Sequence, residues 1–338
     1  MRRIKLKFAG REVEFVDRDL ALRLVEEWAE RGGTYPPVQV IYGPPEGCGK
    51  TAWLLQAVEL LKDYGFNVIY INPINRLALA EVSTDNIREE FLNLIKEAIN
   101  QNALAKVAWI AYNVAYDLIK ATRGKIAVIV DDAFQAIGIK ESALYVKALL
   151  NLIEYPPEHY EKIVTVAATS EGVSLREIGR HRWAWSTPMW NMPKDSFEQL
   201  YDQIPSNKPP FEEAWRITGG NPAMLESLHR VNWNVDKIVS MLIKEKDLSY
   251  GFVKKWLIHL REAINDPDYL WFNAPEELVN ELIERNLILY FLPKRDPEQW
   301  VDQPPPEKDL ELGIGKYVAW QTPLHREAVK RALESVGE

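Results

Sequence analysis

Residues 43–51 read GPPEGCGKT, and they lie between an apolar stretch at residues 38–42 and a helical pattern that begins near Lys50. A glycine-rich loop between a strand and a helix is the context in which Gly-Lys-Thr indicates phosphate binding. Gly47 and Gly49 allow backbone N–H groups to point inward around phosphates, and the helix N-terminus adds partial positive charge. The alternative is a strand-turn-helix whose glycines only make the turn. We favour a phosphate loop, because packing alone rarely selects Gly-Lys-Thr at a helix start.

Each side chain of this loop has a predicted role. Lys50 is expected to reach the β- and γ-phosphates as a catalytic group, and the Thr51 hydroxyl to coordinate Mg²⁺. Pro44 stands where the pattern normally has its first glycine. The residues predicted to contact ATP or ADP are Pro45, Glu46, Gly47, Cys48, Gly49, Lys50, Thr51 and Ala52.

Cys48 lies inside this loop, beside Lys50. Since a neighbouring cation and a helix N-terminus favour a thiolate, the sequence predicts a thiol that reacts with maleimide in the nucleotide-free protein and is protected by Mg-ATP. The alternative is that Cys48 is a small, inert and buried side chain.

A second motif is an acid pair after an apolar strand. Residues 126–130 are all apolar, and Asp131 and Asp132 follow them directly. The carboxyl end of a buried parallel strand is where such sheets bind ligands, so Asp131 is predicted to hold the magnesium shell and Asp132 to orient the attacking water. The alternative is that the pair only caps the next helix.

Composition restricts the remaining choices. The chain has 338 residues, of which 47% are hydrophobic and 27% charged, with 12 Trp, so it is expected to form a globular protein of two or three domains. A single cysteine and an N-terminus without a signal-peptide pattern predict a cytoplasmic protein. We expect no membrane contact, and the net charge of -8 disfavours nucleic acid as a partner.

The order of predicted elements is typical of an α/β protein with a parallel sheet. Short apolar strands near residues 38–42, 68–71, 126–130 and 163–168 alternate with helices, after a short hairpin at the start of the chain. The predicted domains are a P-loop NTPase core at residues 1–193, a helical lid at 194–250 and a winged-helix-like domain at 251–338.

These motifs resemble the archaeal ATPase family, a group of P-loop proteins close to AAA+ and STAND ATPases. The similarity rests on residues 15–19 (FVDRD), 131–135 (DDAFQ) and 217–222 (ITGGNP), in addition to the phosphate loop. The family's glutamate after the first acid is Asp132 here, and an alanine is inserted after it. Ala223 and Met224 stand where many AAA+ proteins have an arginine, which favours the STAND-like branch.

The resemblance implies roles for further residues. Phe15 and Arg18 would lie against the adenine, and Pro222 would approach the nucleotide from the lid. Thr169 or Ser170 would sense the γ-phosphate, with capping of the next turn as the alternative. Arg180 and Arg182 would act as an arginine finger or γ-phosphate sensor, with a solvated helix end as the alternative.

The charge of the C-terminal region indicates which kind of partner it binds. Residues 251–338 contain 6 Lys and 5 Arg against 16 Asp plus Glu, a net charge of -5. Because a reader of duplex DNA gains affinity by neutralising phosphates, a protein partner is expected here in preference to DNA. Trp271, Trp300 and Trp320 would anchor such a partner or belong to the core.

The sequence therefore predicts a Mg²⁺-dependent ATP-binding protein and slow ATPase that acts as a nucleotide-gated switch for a protein partner. A DNA-associated ATPase resembling origin-recognition AAA+ proteins is the rival interpretation. A small-molecule kinase is a third, for which the sequence offers no visible acceptor site.

Overall fold

A computed structural model describes residues 2–16, 18–34, 37–43, 45–170, 184–205 and 207–337. The chain divides into two compact units. The first contains Met1–Ile4, Arg18–Gly43 and Lys50–Pro188, and the second contains Lys5–Asp17, Pro44–Gly49 and Met189–Glu338. The predicted residues Arg180 and Arg182 lie outside the described residues.

The strands are, in chain order, β1 (Lys5–Phe8), β2 (Arg11–Glu14), β3 (Val38–Tyr42), β4 (Asn67–Asn72), β5 (Leu77–Glu81), β6 (Lys125–Asp131), β7 (Lys162–Thr169), β8 (Ala184–Pro188), β9 (Ile288–Tyr290) and β10 (Val318–Trp320). The helices of the first unit are α1 (Asp19–Arg31), α2 (Lys50–Asp63), α3 (Asp85–Asn100), α4 (Leu104–Thr122), α5 (Ala133–Ile137) and α6 (Ile139–Glu154). Those described in the second unit are α7 (Lys194–Asp202), α8 (Phe211–Thr218), α9 (Pro222–Arg230), α10 (Val235–Glu245), α11 (Tyr250–Lys255), α12 (Leu257–Asn265), α13 (Tyr269–Phe272), α14 (Glu276–Glu284) and α15 (Pro323–Gly337).

The first unit is built on a six-stranded sheet with the order β5-β4-β6-β7-β3-β8. All neighbours are parallel except β5, which pairs with β4 in the antiparallel sense. The central strand β6 is buried along residues 126–130, with 0–1% exposure at each, which explains its purely apolar sequence. The predicted α/β fold with a parallel sheet is confirmed.

The two edge strands were not predicted. β5 is mostly half-buried, and β8 forms the opposite edge beside β3. β8 has no continuous apolar run, because an edge strand has only one neighbour and need not be apolar on both faces. β5 does contain the apolar run Leu77–Ala80, but Leu and Ala favour helices more than strands.

Register brings the carboxyl ends of four strands to one edge of the sheet. Asp131 of β6 lies opposite Ala168 of β7, while Thr169 lies opposite Tyr42 of β3. On the other side of β6, Val130 lies opposite Ile71, one residue before Asn72 at the end of β4. The polar residues that end these strands therefore belong to one group.

In the second unit, the β1–β2 hairpin packs on the helices that follow the sheet. Val13 and Val16 share a buried cluster with Phe197 of α7 and Leu225 of α9. A hairpin from the start of the chain is thus part of the core formed by residues after 189.

The C-terminal region contains helices and the antiparallel β9–β10 pair. The Asp268 carboxylate accepts hydrogen bonds from the backbone N–H groups of Lys316, Tyr317 and Val318 at 2.8–3.1 Å, which fixes the start of β10. Trp300 and Trp320 are core residues, with 4% and 1% exposure. The winged-helix assignment stays a prediction.

None of the helices in the described part of the chain is long and apolar enough to cross a membrane.

His325 in the first turn of α15 gives a test of this C-terminal core. It is buried, its Nδ1 is 2.8 Å from the Thr322 hydroxyl, and burial together with the charge of Lys246 lowers its pKa to about 3. Because the unfolded chain takes up this proton near pH 6.5 and the folded protein does not, stability is retained above that pH and falls below it. Between pH 8 and 5 we expect a loss of about 2 kcal/mol from this group.

Urea unfolding of the wild type and of His325→Asn at pH 8, 6.5 and 5 measures this effect. The substitution should remove most of the decline, whereas His159→Asn, which alters an exposed histidine, should not. An unchanged pH dependence in His325→Asn contradicts the prediction.

Candidate functional site

The first unit holds a polar cluster around Asp131 at the carboxyl edge of the sheet. Asp131 is fully buried, and its Oδ2 accepts hydrogen bonds from the Thr51 hydroxyl at 2.7 Å, the Asn72 amide at 2.9 Å and the Tyr70 hydroxyl at 3.0 Å. Its Oδ1 is also buried and has no hydrogen-bond partner. One carboxylate oxygen is therefore fixed by three donors, and the other is left with its lone pairs unused.

A buried carboxylate with one unsatisfied oxygen is costly unless a proton or a cation compensates it. Burial raises the pKa of Asp131, and the negative charge of Asp132 raises it further, while Lys50 and the donors Thr51 and Asn72 act in the opposite direction. Magnesium takes oxygen ligands, so Asp131 and the Thr51 hydroxyl are suited to hold it. No group of three or more His, Cys, Asp or Glu side chains suited to a metal occurs among the described residues.

A second chain of hydrogen bonds begins at Lys50, the first residue of α2. The Lys50 ammonium donates to the Ser170 hydroxyl at 2.7 Å, and Ser170 donates to Oδ1 of Asp132 at 3.0 Å. Ser170 follows β7 directly, and Asp132 follows β6. The ends of neighbouring strands thus connect the predicted phosphate-binding lysine to the predicted base.

Asp132 has an unusual backbone conformation. Its φ is +48°, in the left-handed region that non-glycine residues rarely adopt, and its N–H donates to the Ala168 carbonyl at 2.9 Å. Its side chain makes no capping hydrogen bond to α5. The alternative in which the acid pair only caps the next helix is therefore not supported for Asp132.

The loop residues 45–49 belong to the second unit, where they contact the start of α9. Asn221, fully buried, donates from Nδ2 to the Glu46 carbonyl at 2.8 Å and caps α9 by accepting from the Met224 N–H. A Cβ on Gly47, whose φ is +74°, would lie 2.3 Å from the Ala223 Cβ. Glycine is therefore required at position 47 by its conformation and by this close approach.

The other predicted residues lie as follows. Phe15 and Arg18 are buried, with 5% and 3% exposure, and Thr169 is fully buried at the end of β7. Ala52 is half-buried in the first turn of α2, and Pro222 is half-buried at the first position of α9.

Sequence reasoning missed Tyr70 and Asn72, which donate to Asp131. Their signal was present, because both lie on the same face at the end of an otherwise apolar strand next in the sheet to β6. The predicted strand at residues 68–71 ends before Asn72, whereas β4 includes it.

Cys48 is buried, with 1% exposure, so the structure supports the inert alternative. We expect maleimide to modify native protein slowly and to react fully once urea unfolds it, because the thiol must be exposed to be attacked. Mass spectrometry of labelled native and unfolded samples measures this, and rapid stoichiometric labelling of the native protein would contradict it.

A fold with a mostly parallel sheet, a phosphate-loop motif before α2 and a buried acid at the end of β6 defines a P-loop NTPase. The sequence family described as an ATPase domain predominantly from Archaea matches residues 15–228. Since this match spans more than half of the chain, the protein belongs to that ATPase-domain family. The predicted resemblance is confirmed.

One solved structure supports the fold, and a second is reported as a weaker likeness. The Walker-type ATPase PABY2304 of Pyrococcus abyssi is similar with a TM-score of 0.51 at 15% identity, over 93% of this chain and 96% of that chain. The ORC2 protein of Aeropyrum pernix, solved in ADPNP–ADP complexes, has a TM-score of 0.46 at 14% identity, over 93% of each chain. At 15% identity the likeness to PABY2304 concerns the fold alone. A search of curated proteins gives no match.

Proposed function

We propose that this protein binds ATP and ADP with Mg²⁺, hydrolyses ATP slowly, and acts as a nucleotide-gated switch for a protein partner. The observation that carries the proposal is the contact of the Thr51 hydroxyl with the buried Asp131 carboxylate, at 2.7 Å. Thr51 follows the Gly-Lys pair of the loop, so this contact joins the two motifs that P-loop ATPases use for phosphate and metal.

In this proposal Thr51 and Asp131 hold Mg²⁺, directly or through water. Asp131 Oδ1 is buried without a partner, and a nearby cation would satisfy it. Magnesium, when bound, neutralises charge on the β- and γ-phosphate oxygens. Tyr70 and Asn72 fix the orientation of the carboxylate through Oδ2, so that Oδ1 stays available.

Lys50 and Asp132 are the proposed catalytic residues. Lys50 supplies positive charge to the phosphates, and Asp132 orients the attacking water and accepts its proton. Both side chains are connected through the Ser170 hydroxyl. The short reach of an aspartate, compared with a glutamate, supports slow hydrolysis.

The switch is supported by the contacts of the loop within the second unit. Asn221 and Ala223, at the start of α9, touch Glu46 and Gly47. A change in the loop on nucleotide binding would therefore act directly on this helix. The net charge of -5 over residues 251–338 supports a protein partner in place of DNA.

Lys50→Ala tests nucleotide binding. We expect affinity for Mg-ATP to fall at least tenfold, because a charge-assisted hydrogen bond contributes about 1.5–3 kcal/mol. Lys62→Ala is the matched control, since Lys62 lies on the same helix, is half exposed and pairs with Glu81. Calorimetry measures the Mg-ATP affinity of each protein. Equal affinity in wild type and Lys50→Ala would contradict the proposal.

Asp131→Asn and Asp132→Asn should affect different steps, the first nucleotide binding and the second turnover. The first should weaken Mg²⁺-dependent binding, because a charged oxygen suited to the cation is lost. The second should leave affinity nearly intact and lower turnover about 100-fold, since general base catalysis contributes about 10²–10⁴ in rate. Phosphate release and calorimetry separate the effects, and wild-type turnover in Asp132→Asn would place the base elsewhere.

A further inference from the structure

Glu46 in the phosphate loop takes part in a closed ring of hydrogen bonds with the C-terminal region. The Glu46 backbone N–H donates to Oε1 of Gln321 at 2.9 Å, and Nε2 of Gln321 donates to Oδ1 of Asn286 at 2.8 Å. Nδ2 of Asn286 donates to the Glu46 carboxylate at 2.8 Å, which closes the ring. All three residues belong to the second unit.

The ring has one possible direction. The Glu46 N–H can only donate, and its ionised carboxylate can only accept, so each amide must present its oxygen on one side and its nitrogen on the other. The ring therefore recognises the main chain and the side chain of Glu46 together. Lys246, with 9% side-chain exposure, adds a cation 3.5 Å from the same carboxylate.

The two amides come from joints of the C-terminal region. Asn286 connects the end of α14 to β9 and has φ +55°, and Gln321 lies between β10 and α15 with 1% exposure. A backbone hydrogen bond of 2.9 Å from Gln321 to Leu287 holds the two joints together. With Asn221 on the Glu46 carbonyl, the loop residue is held through its N–H, its carbonyl and its side chain.

We propose that Asn286 and Gln321 are positioning residues of the phosphate loop, which they hold through Glu46 in the conformation that receives phosphate. This inference rests on the proposed function. A loop fixed before ligand arrives loses less conformational freedom on binding, so the ring raises nucleotide affinity. Because coupling is reciprocal, bound nucleotide stabilises the two C-terminal joints in return.

Substitutions at Asn286 test the proposal in the full-length protein, with Mg²⁺ and the non-hydrolysable analogue AMP-PNP as the probe. Asn286→Gly removes the side chain at a position where glycine accepts the backbone conformation, so folding is preserved. We expect its affinity to fall about 3- to 10-fold, the range for one or two hydrogen bonds. Gln303→Ala, an exposed glutamine of the same unit, is the control and should bind as the wild type does.

A reciprocal exchange distinguishes positioning from general destabilisation. Asn286→Asp sets a carboxylate against the Glu46 carboxylate and should weaken AMP-PNP binding about tenfold or more. Glu46→Gln places a donor opposite that acceptor, so Asn286→Asp should cost less than about threefold when it is added to Glu46→Gln and compared with Glu46→Gln alone. An equal loss from Asn286→Asp with and without Glu46→Gln would overturn the inference, as would wild-type affinity in both Asn286 variants.

Hydrogen exchange measures the reciprocal effect. AMP-PNP should slow amide exchange in residues 286–292 and 318–326 of the wild type, and this protection should be lost in Asn286→Gly. Absence of protection in a wild type that binds AMP-PNP overturns the coupling while leaving the proposed function intact. A wild type that does not bind AMP-PNP refutes the proposed function, and the inference with it.

Discussion

The full burial of the Asp131 carboxylate is the constraint on which the candidate site depends. A charged group at the end of a buried strand requires donors, and Thr51, Tyr70 and Asn72 supply them to one oxygen. Asp131 ends β6, while its donors come from β4 and from the start of α2. Satisfying one carboxylate therefore fixes two strand ends and the helix that follows the phosphate loop. The second oxygen is buried and has no hydrogen-bond partner.

A second polar chain runs beside it, from Lys50 through Ser170 to Asp132. Both chains use residues at, or directly after, the carboxyl ends of parallel strands, which is where such sheets bind ligands. The left-handed conformation of Asp132 belongs to this arrangement, because the chain must turn sharply between β6 and α5. Local strain and the site therefore have a common origin in the end of one strand.

Residues 45–49 of the phosphate loop make their contacts with later segments of the second unit. Gly47 packs on Ala223, the buried Asn221 amide binds the Glu46 carbonyl, and the C-terminal amides bind the rest of Glu46. A residue at a variable position of the motif thereby becomes a point of attachment for segments more than 200 residues later in the chain. The phosphate loop and the two C-terminal joints are connected through this residue.

The sequence alone determined the elements whose signals are local: the glycine loop before α2, the apolar run before Asp131 and the alternation of strands with helices. It did not determine the edge strands β5 and β8, whose residues are only partly buried or follow no apolar run. Nor did it identify Tyr70, Asn72, Asn286 or Gln321 as partners of the site. Their side chains are ordinary polar residues until strand order and packing place them against Asp131 or Glu46, because hydrogen bonds depend on distance in space and not on spacing in sequence.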